Sequence, residues 1–89
     1  MKIAAITVYY NEPNRINNWK KYYLDYKDDL FLHIIVDNGS DIDNFEILKL
    51  SFPDSIIIRR EQNDGLTCAY NEGIKYALLN KYVDSIMHI

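Results

Sequence analysis

The sequence predicts a three-layer α/β fold: a four-stranded parallel sheet in the order 3-2-1-4, with helices on both faces. Three observations predict it. Four short runs, residues 2–9, 31–37, 55–60 and 83–89, are rich in apolar, β-branched residues, as expected of strands buried on both faces. The stretches between them repeat apolar residues every three or four positions, the period of a helix. Polar, turn-forming residues end each of the first three runs. The resulting βαβαβαβ alternation implies parallel strands joined by right-handed crossovers.

The elements follow in order. Residues 2–9 (KIAAITVY) form the first strand, and Asn11-Glu12-Pro13-Asn14 break it. Pro13 is placed to open a helix. Ile16, Trp19, Tyr23 and Tyr26 then recur on one face, which predicts an amphipathic helix over 14–27, closed by a turn at Asp28-Asp29. Residues 31–37 (FLHIIVD) form the second strand, and Gly39 supplies the sharp turn after it. Ser40 is a suitable N-cap with Asp43 three residues on, so a short helix is expected over 41–50. Phe45, Leu48 and Phe52 share its inner face. Pro53-Asp54 turn the chain into the third strand, 55–60 (SIIIRR), followed by the polar loop Glu61 to Gly65. Leu66, Ala69, Tyr70, Gly73, Ile74 and Ala77 give the clearest helical pattern of the chain. Gly73 costs roughly 1 kcal/mol against alanine there, which predicts close approach of that helix to the sheet. Residues 83–89 (VDSIMHI) form the fourth strand.

Composition narrows the function. Eighty-nine residues make one small domain, 48% hydrophobic and 26% charged, so the chain is globular rather than disordered. A net charge of -3 argues against a nucleic-acid partner. The pairs Lys20-Lys21 and Arg59-Arg60 read as solvated surface. The single cysteine, Cys68, has no partner for an internal disulfide and is expected to pack beside Ala69. No secretory signal is present, and no apolar run approaches the roughly 20 residues that span a bilayer. A cytoplasmic location is the expectation. Three of the eight tyrosines lie between Tyr22 and Tyr26, which suggests a half-buried face or a partner surface.

In such a fold, ligands bind at the carboxyl ends of the strands beside the switch point, here between strands 1 and 4. Three loops are nominated. In Tyr9-Tyr10-Asn11-Glu12, an aromatic ring can stack on a planar base while Asn and Glu bind base or ribose; the same residues equally suit a helix-initiating turn. In Asp37-Asn38-Gly39-Ser40, a strand-end carboxylate or carboxamide can read a base edge, or the loop can simply cap the next helix. In Asn63-Asp64-Gly65-Leu66, Gly65 offers backbone access at a helix N-terminus. Gly39, Gly65 and Gly73 are too far apart for a dinucleotide or P-loop motif. His33 and His88 read as core or edge residues, not metal ligands.

Taken as an ordered set, these loops resemble the family 2 glycosyltransferases of the GT-A fold, in particular their rhamnosyltransferase-like branch. TVYYNEP resembles the family's T-x-Y-N-E/P element, IIVDNGS its V-D-D/N-G-S element, and NDGLTCAYNEGIKYA its N-x-G-x-x-x-A-x-N-x-G-I helix start. DSIMHI resembles the strand leading into the family's D-x-D motif. The resemblance implies a Rossmann-like N-terminal half of a GT-A domain over residues 1–89, acting in polysaccharide biosynthesis. It implies that Tyr10 packs against a pyrimidine and that Asn11 and Glu12 shape that pocket and the ribose site. It implies that Asp37 and Asn38 occupy the acidic pair that reads the pyrimidine edge, and that Gly65 skirts the nucleotide. Asn71 would be a contact within the helix start. The implied partner is a UDP- or dTDP-sugar donor. No cofactor and no catalytic residue is implied within these residues. The D-x-D aspartates that hold Mg²⁺ or Mn²⁺ would follow Ile89, as would the general base and the acceptor site. Transfer with inversion is implied for an intact enzyme, and inactivity for these residues alone.

Two other readings are open. A non-enzymatic, flavodoxin-like interaction domain would use the tyrosine-rich helix and the uncovered fourth strand, which also predict a homodimer or swapped assembly. A receiver-like phosphorylation domain needs paired acids after strand 1, where Asn11-Glu12 stand instead.

Overall fold

Parallel pairing dominates the computed structural model, which describes all 89 residues. The elements run β1 (Ile3–Tyr9), α1 (Pro13–Tyr26), a 3-10 turn (Lys27–Asp29), β2 (Leu32–Asp37), α2 (Ile42–Ser51), β3 (Ile56–Arg59), α3 (Leu66–Leu78) and β4 (Ser85–His88). The strands pair in the order β3-β2-β1-β4, all parallel. This is the predicted order, and it differs from the 2-1-3-4 arrangement of flavodoxin-like sheets. Register aligns Tyr9 with Asp37 and Asp37 with Arg59, so these three residues form one row near the carboxyl edge of the sheet.

Alternation along the strands divides the core in two. Ala4, Ile6, Ile34 and Val36 meet Ala69 and Ala77 of α3. On the opposite face, Tyr9 and Ile35 meet Ile16 of α1 and Leu48 and Phe52 of the α2 segment. Each fully buried Ile, Leu or Phe stabilises the fold by about 1.5–3 kcal/mol. Gly73 confirms the expected close approach. A Cβ built there would lie 2.7 Å from Ile6 Cγ2 and 3.1 Å from Val36 Cγ2.

Four expectations need correction. Cys68 is exposed, because the buried stripe of α3 runs through Ala69, Gly73 and Ala77 and leaves its neighbour a turn-phase away. Arg60 is not solvated surface; its side chain is 18% exposed and pairs with both Asp64 and Glu72. Arg59 lies with its guanidinium carbon 4.3 Å from the Phe45 ring centroid. That contact holds Phe45 at the rim of α2, half-buried, while Leu48 and Phe52 are buried. Ser40 does not cap α2: Asp41 takes the N-cap position, without a side-chain cap bond. His33 is buried as expected, whereas His88 lies exposed on β4 with its ring 4.4 Å from that of Tyr70. No helix is long and apolar enough to cross a membrane.

Candidate nucleotide site

The carboxyl edge of β1, β2 and β3 continues past the strands by backbone bonds. The Asn38 N–H donates to the Tyr9 carbonyl at 2.8 Å, and the Arg60 N–H donates to the Asp37 carbonyl at 2.9 Å. The three loops therefore leave the sheet from one fixed line. Asn11 turns the first loop in the left-handed region, at φ 43°, a conformation asparagine tolerates better than most residues. Its N–H donates to Ser40 Oγ at 2.9 Å. Its Oδ1 accepts from the Asp41 N–H at 2.9 Å and from Asn44 Nδ2 at 3.0 Å. Asn11 and Ser40 together thus tie the loop after β1 to the start of α2. This explains why Ser40 is 3% exposed and unavailable as a helix cap.

The second and third loops lock together at Gly39. Its φ is +85°, and a Cβ there would fall 2.6 Å from the Gln62 carbonyl carbon and 2.7 Å from the Asn63 nitrogen. Only glycine fits both demands. Asn38 adds a side-chain link. Its Nδ2 donates to Asn63 Oδ1 at 3.0 Å and to the Gly65 carbonyl at 3.3 Å. Asn63 Oδ1 also accepts from the Gly65 N–H at 2.9 Å. Because Nδ2 faces two oxygens, flipping the amide would set oxygen against oxygen, so the orientation is fixed by its neighbours. Asn38 Oδ1 is then left buried without a partner.

Asp37 is wholly buried, with neither carboxyl oxygen hydrogen-bonded. The Tyr9 hydroxyl, in the same row, is also buried and unpartnered. Burial raises the Tyr9 pKa, with the proximity of Asp37 and Glu12 adding to the rise against the Glu12 backbone. Orphaned polar atoms of this kind are costly, about 1–3 kcal/mol each, and their concentration in one row marks a place where the fold carries unspent acceptor capacity.

The predicted residues thus separate into three groups. Asn38 and Gly65 come together, joined by Asn63, while the side chain of Asp37, next to Asn38 in the chain, bonds to neither. Asn11 lies between the loops and holds them. Tyr10 is 41% exposed, and Glu12 is exposed and paired with Arg15 at 2.7 Å. Gly65 has φ +94° and open space where a side chain would stand. Asn71 is exposed on α3 and forms no hydrogen bond through its side chain. None of the four cavities is lined by Tyr10, Asp37, Asn38 or Gly65. No group of three or more His, Cys, Asp or Glu side chains is arranged to hold a metal. Sequence reasoning missed the bracing roles of Ser40 and Asn63. The signal for Asn63 was the Asn-Asp-Gly turn itself; Ser40 gave none beyond its false cap pattern.

Comparison with curated proteins finds no match. The family model described as "Glycosyl transferase family 2" matches residues 4–83, a span that contains all three loops. With the all-parallel 3-2-1-4 sheet and its strand-end loops, that match identifies the chain as a member of glycosyl transferase family 2.

Proposed function

We propose that the carboxyl edge of β1–β3 binds the pyrimidine nucleoside diphosphate of a UDP- or dTDP-sugar, within a rhamnosyltransferase-like enzyme. The observation that carries this reading is Asn38. Its two donor hydrogens are committed within the protein, so the one capacity it has left is its buried acceptor Oδ1, which a ligand reaches once the loop over it moves aside. Uracil and thymine present a matching N3–H; cytosine has no hydrogen there. Tyr10, exposed beside this edge, supplies a ring face for the base, and Gly65 lets the ribose or diphosphate approach the backbone. In an intact enzyme a carboxylate would deprotonate an acceptor hydroxyl, which attacks the anomeric carbon and expels the nucleoside diphosphate with inversion. A Mg²⁺ or Mn²⁺ ion would stabilise that leaving group. The part assigned to residues 1–89 in that reaction is to bind and orient the donor. We read residues 1–89 as this nucleotide-binding part, inactive alone, working in the cytoplasm in polysaccharide biosynthesis and self-associating through its open sheet edge.

Binding measured by NMR titration with UDP, dTDP and CDP tests the reading. UDP and dTDP should shift the amides of Tyr10, Asn38 and Gly65, with CDP binding about tenfold more weakly, the size of one lost hydrogen bond to a buried acceptor. Asn38→Ala should abolish the preference. Equal affinity for UDP and CDP, or shifts confined to other loops, would overturn it.

A further inference from the structure

Arg60 stands where β3 ends, and both its backbone and its side chain are held. Its N–H donates to the Asp37 carbonyl at 2.9 Å, which pins it to the sheet edge. Its guanidinium forks between two carboxylates: Glu72 of α3 and, at 2.9 Å, Asp64 of the loop that joins β3 to α3. The rigid planar fork of arginine suits this double grip better than a lysine ammonium would. The arginine side chain is largely enclosed, whereas Asp64 faces solvent. Asp64 lies between the two residues that contact Asn38, because Asn63 Oδ1 and the Gly65 carbonyl both accept from Asn38 Nδ2. Gln62 Nε2 donates to the other Asp64 oxygen at 2.9 Å, and the backbone of Gln62 and Asn63 lies against Gly39. The loop thereby encloses Asn38, whose Oδ1 is buried and unpartnered.

We infer that Arg60 is a positioning residue: its pairing with Asp64 latches residues 61–65 closed over Asn38, and release of that latch opens the strand edge to a ligand. The other side-chain bonds of the loop, from Asn38 to Asn63 and Gly65 and from Gln62 to Asp64, involve no cation. The Arg60 pair is the loop's charged tie to the rest of the fold. Glu72 keeps the guanidinium in place when Asp64 lets go, so the loop closes again on the same partner. Gly65 supplies the hinge, since at φ +94° no heavy atom stands within 4 Å of where a Cβ would lie. An ion pair with one member in solvent is weak and screened by salt, so the latch holds the loop without sealing it. The latch itself needs no ligand; its effect on binding rests on the nucleotide reading above.

Asp64→Asn tests the latch. It keeps the oxygen that Gln62 uses and sets an amide nitrogen against Arg60, so donor meets donor. The site is exposed and the change isosteric, so the fold is retained. The first readout is amide hydrogen exchange by NMR, without ligand. The Gly65 N–H is bonded to Asn63 Oδ1 in the closed loop, and it should exchange about two- to fivefold faster in the variant, the factor of one exposed ion pair. In the natural chain its exchange should also be faster than that of Ile35 in the core and insensitive to low urea, the mark of local opening. Raising NaCl to about 0.5 M should bring the two chains together. The second readout is UDP affinity. A site that must first open binds more weakly by its open fraction, so Asp64→Asn should tighten UDP binding by the same factor as it speeds Gly65 exchange. A pair that only stabilised the fold would not tighten it. Equal Gly65 exchange in the two chains, a urea dependence matching that of Ile35, or UDP binding that is not tightened would overturn the latch. If UDP binds neither chain, the nucleotide reading falls, and the exchange measurement alone decides the latch.

Discussion

His33 shows how much a single buried ring can make stability depend on pH. Its Nε2 lies 3.2 Å from Thr7 Oγ1 and its Nδ1 2.8 Å from Ser55 Oγ, while the ring stacks on Tyr23 at 4.7 Å. Trp19 and Phe52 complete the surroundings, and none of these neighbours carries a charge. Burial lowers its pKa from 6.5 to about 4. Above pH 6.5 the imidazole is neutral in both folded and unfolded chains, and its contribution is complete. As pH falls from there towards 4, the unfolded chain takes up the proton first, so stability declines, by about 3 kcal/mol in all. Urea denaturation of the natural chain and of His33→Gln at pH 7.5 and pH 4.5 checks this. The variant should show the flatter pH dependence, and equal slopes would refute the assignment. The burial of His33 was legible in the sequence from its place in an apolar strand. The burial of Asp37 was not. A strand-end carboxylate reads as solvent-facing, and only the row it shares with Tyr9 and Arg59 shows it enclosed.

At the scale of elements, α3 is the helix whose fit against the sheet is tightest. Ala in place of Gly73 would gain roughly 1 kcal/mol in helix propensity. It would also press a Cβ to 2.7 Å from Ile6 Cγ2, at the centre of the core beneath α3. Overpacking of this kind costs about 1–3 kcal/mol, so Gly73→Ala should lower the urea midpoint at unchanged slope. A raised midpoint would show that the sheet yields. The strand order and helix positions were legible because period and burial agreed along the chain. The errors came where one residue of phase decides the environment. Cys68 precedes the buried Ala69, and Arg60 leaves β3 on the opposite side from Arg59. The cap assigned to Ser40 failed for a non-local reason: its hydroxyl is taken by the Asn11 N–H, twenty-nine residues away in sequence. The positions of the three strand-end loops were thus legible, but the bonds that brace them were not.

Across the whole molecule, the sheet ends in two uncovered strands. β3 pairs only with β2, and β4 only with β1. Met87 on β4 is 38% exposed. Unpaired strand edges seek partners, so light scattering over a rising concentration series should show mass above the monomer value. A constant monomer mass would refute self-association. Lys in place of Met87 should then reduce the association, since charge is the usual guard of an edge.

Gly39 has one more consequence. Its lack of a side chain lets two loops from different strands lie backbone against backbone, so neither can be inherited alone. A relative's third loop could be transplanted into this chain only together with its second, residues 38–40 travelling with 62–65. Any ligand preference of this edge is therefore a property of a loop pair, and its natural unit of exchange is that pair.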